Sequence, residues 1–258
     1  MNNSHTYNQY YLERHPGLWI LLTDETEESI DRVNDFINTL IQKNFDGKTP
    51  KNRCYLHVIG YHGKVTRLVS GYLSDYEKFV IEFLDIEKRV LIDNHAETIR
   101  VKRPIWCKKT DTHKENVLAD ALLSIRSFIE AWIENNPYSP APVIWNIGSI
   151  FIEDTSISNE IERAIRGVKS IDSNDGNVLF MNIYPSKSQN IFLPSEIDLV
   201  RESSCVPENY LSRFRYEIEE LMSIEGDDIY ISKYTHLSFN SSILNWLIDI
   251  IMDLRNLE

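Results

Sequence analysis

The densest group of side chains able to do chemistry lies early in the chain, at Thr23-Asp24-Glu25-Thr26-Glu27-Glu28. Carboxylates and hydroxyls crowded onto one loop are the oxygen donors that a hard cation such as Mg²⁺ prefers. The same residues also make a good helix start. A threonine or aspartate cap is followed by acidic residues in the first turn, where the helix dipole favours negative charge. Both readings are open on the sequence. A second group, Gly148-Ser149, follows an apolar run but lacks the flanking glycines of a GxSxG nucleophile elbow. Cys54, Cys107 and Cys205 are odd in number and far apart, without a CxxC pair, which disfavours a zinc ribbon, a thioredoxin-type site and a disulfide framework. Cys205 has no base beside it in the sequence and is expected to be an inert thiol. The histidines make no HExxH, and His57 falls inside an apolar run, where a satisfied buried imidazole is expected. Neither GxGxxG nor a Walker phosphate loop occurs.

These residues need elements to hold them. Leu18-Trp19-Ile20-Leu21-Leu22 is an unbroken apolar run, the signature of a strand buried on both faces. Ile30, Val33, Asn34, Phe36, Ile37, Leu40 and Ile41 then recur at helical spacing, predicting an amphipathic helix from Glu27 to about Asn44. Cys54–Tyr61 predicts a second buried strand. Between Gly63 and Pro104 the pattern predicts a strand or hairpin arm at Val65–Leu73, a short helix at Tyr76–Leu84, and strand pieces at Arg89–Ile92 and Thr98–Val101. A long helix follows from Val117 to about Asn135, closed by Pro137, Pro140 and Pro142. Val143–Ile147 predicts another buried strand, Ile161–Val168 a helix, Asp175-Gly176 a turn and Val178–Ile183 a strand. A helix at Tyr210–Met222, whose Glu217, Glu219 and Glu220 form a solvated face, a strand at Asp228–Ile231 and a helix at Ile243–Leu254 complete the pattern. Strand alternating with helix predicts an α/β fold, a doubly wound, Rossmann-like, mostly parallel sheet flanked by helices.

Composition bounds the function. With 39 acidic against 27 basic residues, the formal charge of −12 repels phosphate backbones and anionic lipid, so nucleic acid and membrane surfaces are not expected partners. The amino-terminal residues lack the basic and apolar regions of a signal peptide, and no stretch approaches the ~20 apolar residues of a membrane span. A cytoplasmic location is expected. No linker or composition step divides residues 1–258, which read as a single domain with a polar leader at 1–16 and an insertion-like region at 63–105.

Five stretches together resemble the von Willebrand factor A (VWA) domain family, and more narrowly its bacterial, cytoplasmic, tellurium-resistance-type branch. They are Leu18–Leu22 with the loop after it, Val117–Leu122, Pro142–Ile147, Asp175–Asn182 (close to "dGNVLLFN") and Glu202–Glu208 (close to "SSxLP"). The resemblance implies a doubly wound sheet and a metal-ion-dependent adhesion site. That site takes a DxSxS loop after the first strand, a threonine ahead of a later helix and the aspartate of a TDG after the fourth strand. Here Asp24, Thr26 and Glu28 stand in the first position, Asn116 in the second and Ile147-Gly148-Ser149 in the third. A glutamate thus replaces the closing serine and the late aspartate is gone. The implied site is degenerate, with weak Mg²⁺ binding at best and no other cofactor, although a different cation site from Asp24, Glu25 and Glu28 stays open.

The resemblance and the missing catalytic constellation lead to a non-enzymatic protein-interaction module. Its expected partner-binding rim is Asp24, Glu25, Thr26, Glu28, Asn116, Gly148 and Ser149. Family context implies a subunit or adaptor in a bacterial stress-response or anti-phage (phage defence) system, with a Ser/Thr kinase, a PP2C-like phosphatase or an AAA+ ATPase as protein partner. The alternative is a hydrolase using the acidic first loop with Ser149 or Asn146 and a recruited divalent cation. In a third reading residues 63–104 dock into a larger assembly through Tyr72, Tyr76, Phe79 and Phe83, whose spacing equally fits the inward stripe of a helix.

Overall fold

In a computed structural model of the chain, residues 13–44, 51–92, 95–109, 117–148, 155–184 and 236–238 are described. The expected elements at 210–222, 228–231 and 243–254, together with Cys205 and the stretch 202–208, lie outside them.

The first apolar run forms β1 (Gly17–Thr23), buried at every position. It lies at the middle of a six-stranded sheet with β2 (Cys54–Gly60), β3 (Thr66–Tyr72), β6 (Val143–Ile147), β9 (Leu179–Tyr184) and β10 (His236–Ser238). The order is β10-β9-β6-β1-β2-β3. Every neighbouring pair is parallel except β2 with β3, which run antiparallel with a register irregularity at Val58/Ile59. The fold is therefore mixed α/β with a mostly parallel central sheet.

Side-chain alternation along β1 sends its residues to two separate cores. Trp19 and Leu21 pack with Ile30, Val33, Phe36, Ile37 and Leu40 of α1 (Glu27–Lys43). Leu18, Ile20 and Leu22 pack with Leu118, Ala121, Leu122, Ile125 and Ile129 of α2 (Leu118–Asn135), and with Ile161, Ile165 and Val168 of α3 (Thr155–Lys169). The first core is anchored by three rings. Trp19, Phe36 and Trp145 have centroids 5.1 to 6.1 Å apart and tilted or edge-on planes, the preferred geometry for aromatic contact. The turn at Asp175-Gly176 is present, joining the short antiparallel strands β7 (Asp172–Ser173) and β8 (Gly176–Asn177), and Gly176 takes φ 108°, a conformation only glycine adopts without strain. Among the described residues no helix is long and apolar enough to cross a membrane.

Residues 73–105 depart from expectation. No α-helix covers Tyr76–Leu84. A 3₁₀ segment (Leu73–Phe79) ends at Val80, whose φ/ψ of −63°/121° is already extended, and β4 (Glu82–Ile92) follows. The two strand pieces expected at 89–92 and 98–101 are parts of one long hairpin, β4 with β5 (His95–Ile105), paired from Glu82↔Ile105 to Ile92↔His95. β-Branched and aromatic residues alternating with charge outweigh the helical spacing of Tyr76, Phe79 and Phe83. These aromatics divide accordingly. Tyr76 is fully buried, its hydroxyl donating to Leu56 O at 3.0 Å, Tyr72 is half-buried, and Phe79 and Phe83 are exposed.

The hairpin is tied to the body at its base by side chains of α1, chiefly Asn34. Buried Asn34, on the inward face of α1, accepts through Oδ1 from the N–H groups of Trp106 (2.9 Å) and Cys107 (3.1 Å). Its Nδ2 donates to Cys107 O (2.9 Å) and Ile30 O (3.0 Å). An asparagine among apolar helix positions is thus a clamp that satisfies the end of β5's chain. Arg103 adds a 2.6 Å pair to Asp35. Burial raises the Asp35 carboxyl above its ordinary range, Arg103 and Arg32 pull it back, and Asp31 pushes it up again.

Candidate functional site

In an open parallel sheet, the crevice outside the strand carboxyl ends opens where the strand order reverses direction. Here that place is between β1 and β6, and the loops after β1, β2 and β6 meet there.

The loop after β1 is built by local hydrogen bonds. Asp24 Oδ1 accepts from the Thr26 N–H at 3.2 Å and lies 2.9 Å from Thr26 Oγ1, an Asx turn. Thr26 is the N-cap of α1, accepting from Ser29 N–H at 3.3 Å, and its hydroxyl lies 2.9 Å from Ser29 Oγ. Glu27 and Glu28 occupy the first turn, beside the positive end of the helix. The helix-start reading of this segment is what the structure forms.

Glu25 leaves the group. Its backbone is in the left-handed region, at φ 57°, which turns the side chain inward to the end of β2. There Oε1 accepts from His62 N–H at 3.2 Å. Gly60 makes the room, since a Cβ on it would come within 2.3 Å of that oxygen. Burial pushes the Cys107 thiol up to about 12, and Glu25 adds to the shift, so Cys107 is an inert protonated thiol.

The end of β6 closes the site from the other side. Fully buried Tyr61, just past β2, donates through its hydroxyl to Asn146 Oδ1 at 3.2 Å. Its phenol is held well above the ordinary tyrosine range by burial, and then by the Asp24 charge, with the Asn146 bond opposing. Gly148 lies directly against both groups: a Cβ there would stand 2.5 Å from the Tyr61 hydroxyl and 2.9 Å from Asp24 Cγ. The Tyr61 backbone joins three elements, its N–H donating to Thr23 O (2.9 Å) and its C=O accepting from Val117 N–H (3.2 Å).

Of the expected rim, the structure therefore brings Asp24, Thr26 and Gly148 together. Glu25 is buried elsewhere, and Glu28 is half-buried in the first turn of α1. Asn116 and Ser149 lie outside the described residues. Tyr61, Asn146 and Ser29 complete the group. Tyr61 ends an apolar strand pattern and reads in sequence as core, and no spacing rule points from it to Asp24. Among the described residues no three His, Cys, Asp or Glu side chains gather as metal ligands. The left-handed backbone at Glu25 turns its carboxylate to His62 N–H, while Asp24 bonds Thr26.

The fold and this site define a class: a mixed α/β protein with a small polar cluster where the ends of its central parallel strands meet. No family model matches the chain, and no curated protein is significantly similar to it.

Proposed function

We propose that this chain is a VWA-like, non-enzymatic interaction module that binds a protein partner across the rim of the β1–β6 crevice. One observation carries the reading: the Asp24-x-Thr26 loop sits at the carboxyl end of the central strand, with Asp24 facing Gly148 at the end of β6. That is the relation in which the resemblance places the DxSxS and TDG loops. The strand order supports a doubly wound arrangement, β1-β2-β3 running outward one way and β6-β9-β10 the other, with α1 on one face and α2 and α3 on the other.

The donor set does not fit a resident magnesium ion. Asp24, Thr26 and Ser29 offer one carboxylate and two hydroxyls, already bonded among themselves, and Gly148 brings no side-chain oxygen where the family has an aspartate. Mg²⁺ demands a near-octahedral shell of oxygen ligands. The rim binds by direct contact, the half-buried carboxylates Asp24 and Glu28 favouring a basic patch on the partner. A subunit or adaptor role in bacterial stress response or phage defence, beside a kinase, phosphatase or AAA+ ATPase, belongs to this proposal through the family resemblance.

The test is capture from native lysate with tagged wild type, Glu28→Arg and Asp24→Ala. A single polypeptide retained by the wild type, weakened at least tenfold by either variant and unaffected by a chelator, is the expected result. Equal retention by all three, or no retained protein, overturns the proposal.

A further inference from the structure

From the segment after β5 we infer that Lys109 is a tethered occupant of the acidic rim, an autoinhibitory contact that a basic partner must displace. The inference rests on the rim reading proposed above. Of the four carboxylates at positions 24–28, Glu27 alone is exposed, since Asp24 and Glu28 are half-buried and Glu25 is buried. A basic partner arriving from solvent meets Glu27 first. That carboxylate is already taken: Lys109 Nζ lies 3.1 Å from Glu27 Oε2.

The fold delivers this lysine to the rim. From Arg103 to Lys109 the chain runs along α1 toward its amino end, meeting Asp35, then Asn34, then Glu27. Trp106 and Cys107 are buried and their N–H groups are held by Asn34, so Lys109 stands two residues beyond a fixed point. Lys108 goes the other way, its Nζ 3.0 Å from Glu82 Oε2 on β4. A lysine on so short a tether meets Glu27 at a much higher effective concentration than a free partner in dilute solution. Both members of the pair are at least half exposed, and ion pairs of that kind are weak. The contact therefore attenuates binding at the rim and does not block it.

Fluorescence anisotropy of a dye-labelled octalysine peptide with the full chain, at about 50 mM salt where surface charges are less screened, tests this. Lys109→Gln should bind the peptide about two- to fivefold more tightly than wild type, the span an exposed ion pair allows. Lys108→Gln changes the net charge equally but removes the pair to Glu82 instead, and should tighten binding by less than about 1.5-fold. In a Glu27→Gln background Lys109→Gln should have no further effect, because the pair is already gone. Equal tightening by Lys108→Gln and Lys109→Gln, or the same gain with and without Glu27, overturns the inference; the rim reading then survives if Glu28→Arg still weakens binding. If Asp24→Ala and Glu28→Arg bind the peptide as wild type does, the rim reading fails and the inference with it. A peptide that neither wild type nor Lys109→Gln binds overturns the inference, and capture from lysate judges the rim separately. The substituted side chains are exposed or half-buried, and circular dichroism melts check that each variant is folded.

Discussion

β1 and β4 contain similar apolar residues and meet opposite fates. In β1 Leu18 to Leu22 are all buried, because α1 covers one face of the sheet and α2 and α3 the other. In β4 Phe83 and Leu84 are 60% and 46% exposed, because among the described residues the ribbon pairs only with itself and meets α1 only at its base. The central sheet alternates its side chains between two cores, so each substitution is felt on one core alone. The ribbon mixes apolar and charged residues on both faces, so a substitution at Phe83 or Leu84 meets solvent more than core. Burial of an apolar strand is a property of its neighbours and not of its own residues alone.

The largest expected effect is in the core. Trp145→Ala removes the ring that touches both Trp19 and Phe36 and should destabilise the fold by about 4 kcal/mol, whereas Phe83→Ala on the ribbon should change stability by less than about 0.5 kcal/mol at dilute concentration. Urea unfolding of both variants measures the contrast. If the two costs are alike, the distinction between sheet and ribbon fails.

Asn34→Ala attacks the junction. It strips partners from two buried N–H groups and one carbonyl at the base of the ribbon and should cost about 3 kcal/mol. Hydrogen exchange should speed first in the ribbon and at Trp106 and Cys107, before the central sheet. Uniform acceleration across the molecule would mean that ribbon and sheet open as one unit.

The third effect is a pH dependence confined to the sheet. His57 is buried on β2, with Nδ1 2.6 Å from Ser70 Oγ and its ring stacked on Phe128 at 4.4 Å. Burial, then the Arg67 charge, lowers its pKa from 6.5 to about 4. The unfolded chain takes up this proton below about pH 6.5 while the folded chain stays neutral down to about 4, so stability falls as pH drops through that window. The full loss is about 3 kcal/mol at the acid end, of which about 2 kcal/mol is reached by pH 4.5. His57→Gln should flatten the difference in stability between pH 7 and pH 4.5 by about that amount in paired urea titrations. An unchanged slope would show that His57 is not the group responsible.

Much of the sheet is legible in the chain. Apolar runs mark β1, β2, β6 and β9, and helical spacing marks α1, α2 and α3, because a strand or helix buried by its neighbours must repeat its apolar residues at the period of its backbone. The approach to the ribbon misleads because Tyr76, Phe79 and Phe83 keep a helical spacing while the 3₁₀ segment stops at Phe79 and the backbone is extended from Val80. His57 as a buried imidazole and Asp175-Gly176 as a turn are equally legible, being local.

Of the site, sequence alone marks the Asp24–Thr26 loop and Gly148, since a strand end followed by a cap is a local pattern. Only the tertiary structure decides that Glu25 turns inward against Gly60, and that Tyr61 and Asn146 stand beside Asp24. Those relations join the ends of β1, β2 and β6, which are distant in the chain and become neighbours only through strand pairing. Local hydrogen-bonding and periodicity are written in neighbouring residues. Which carboxylate faces which partner is set by packing across the sheet.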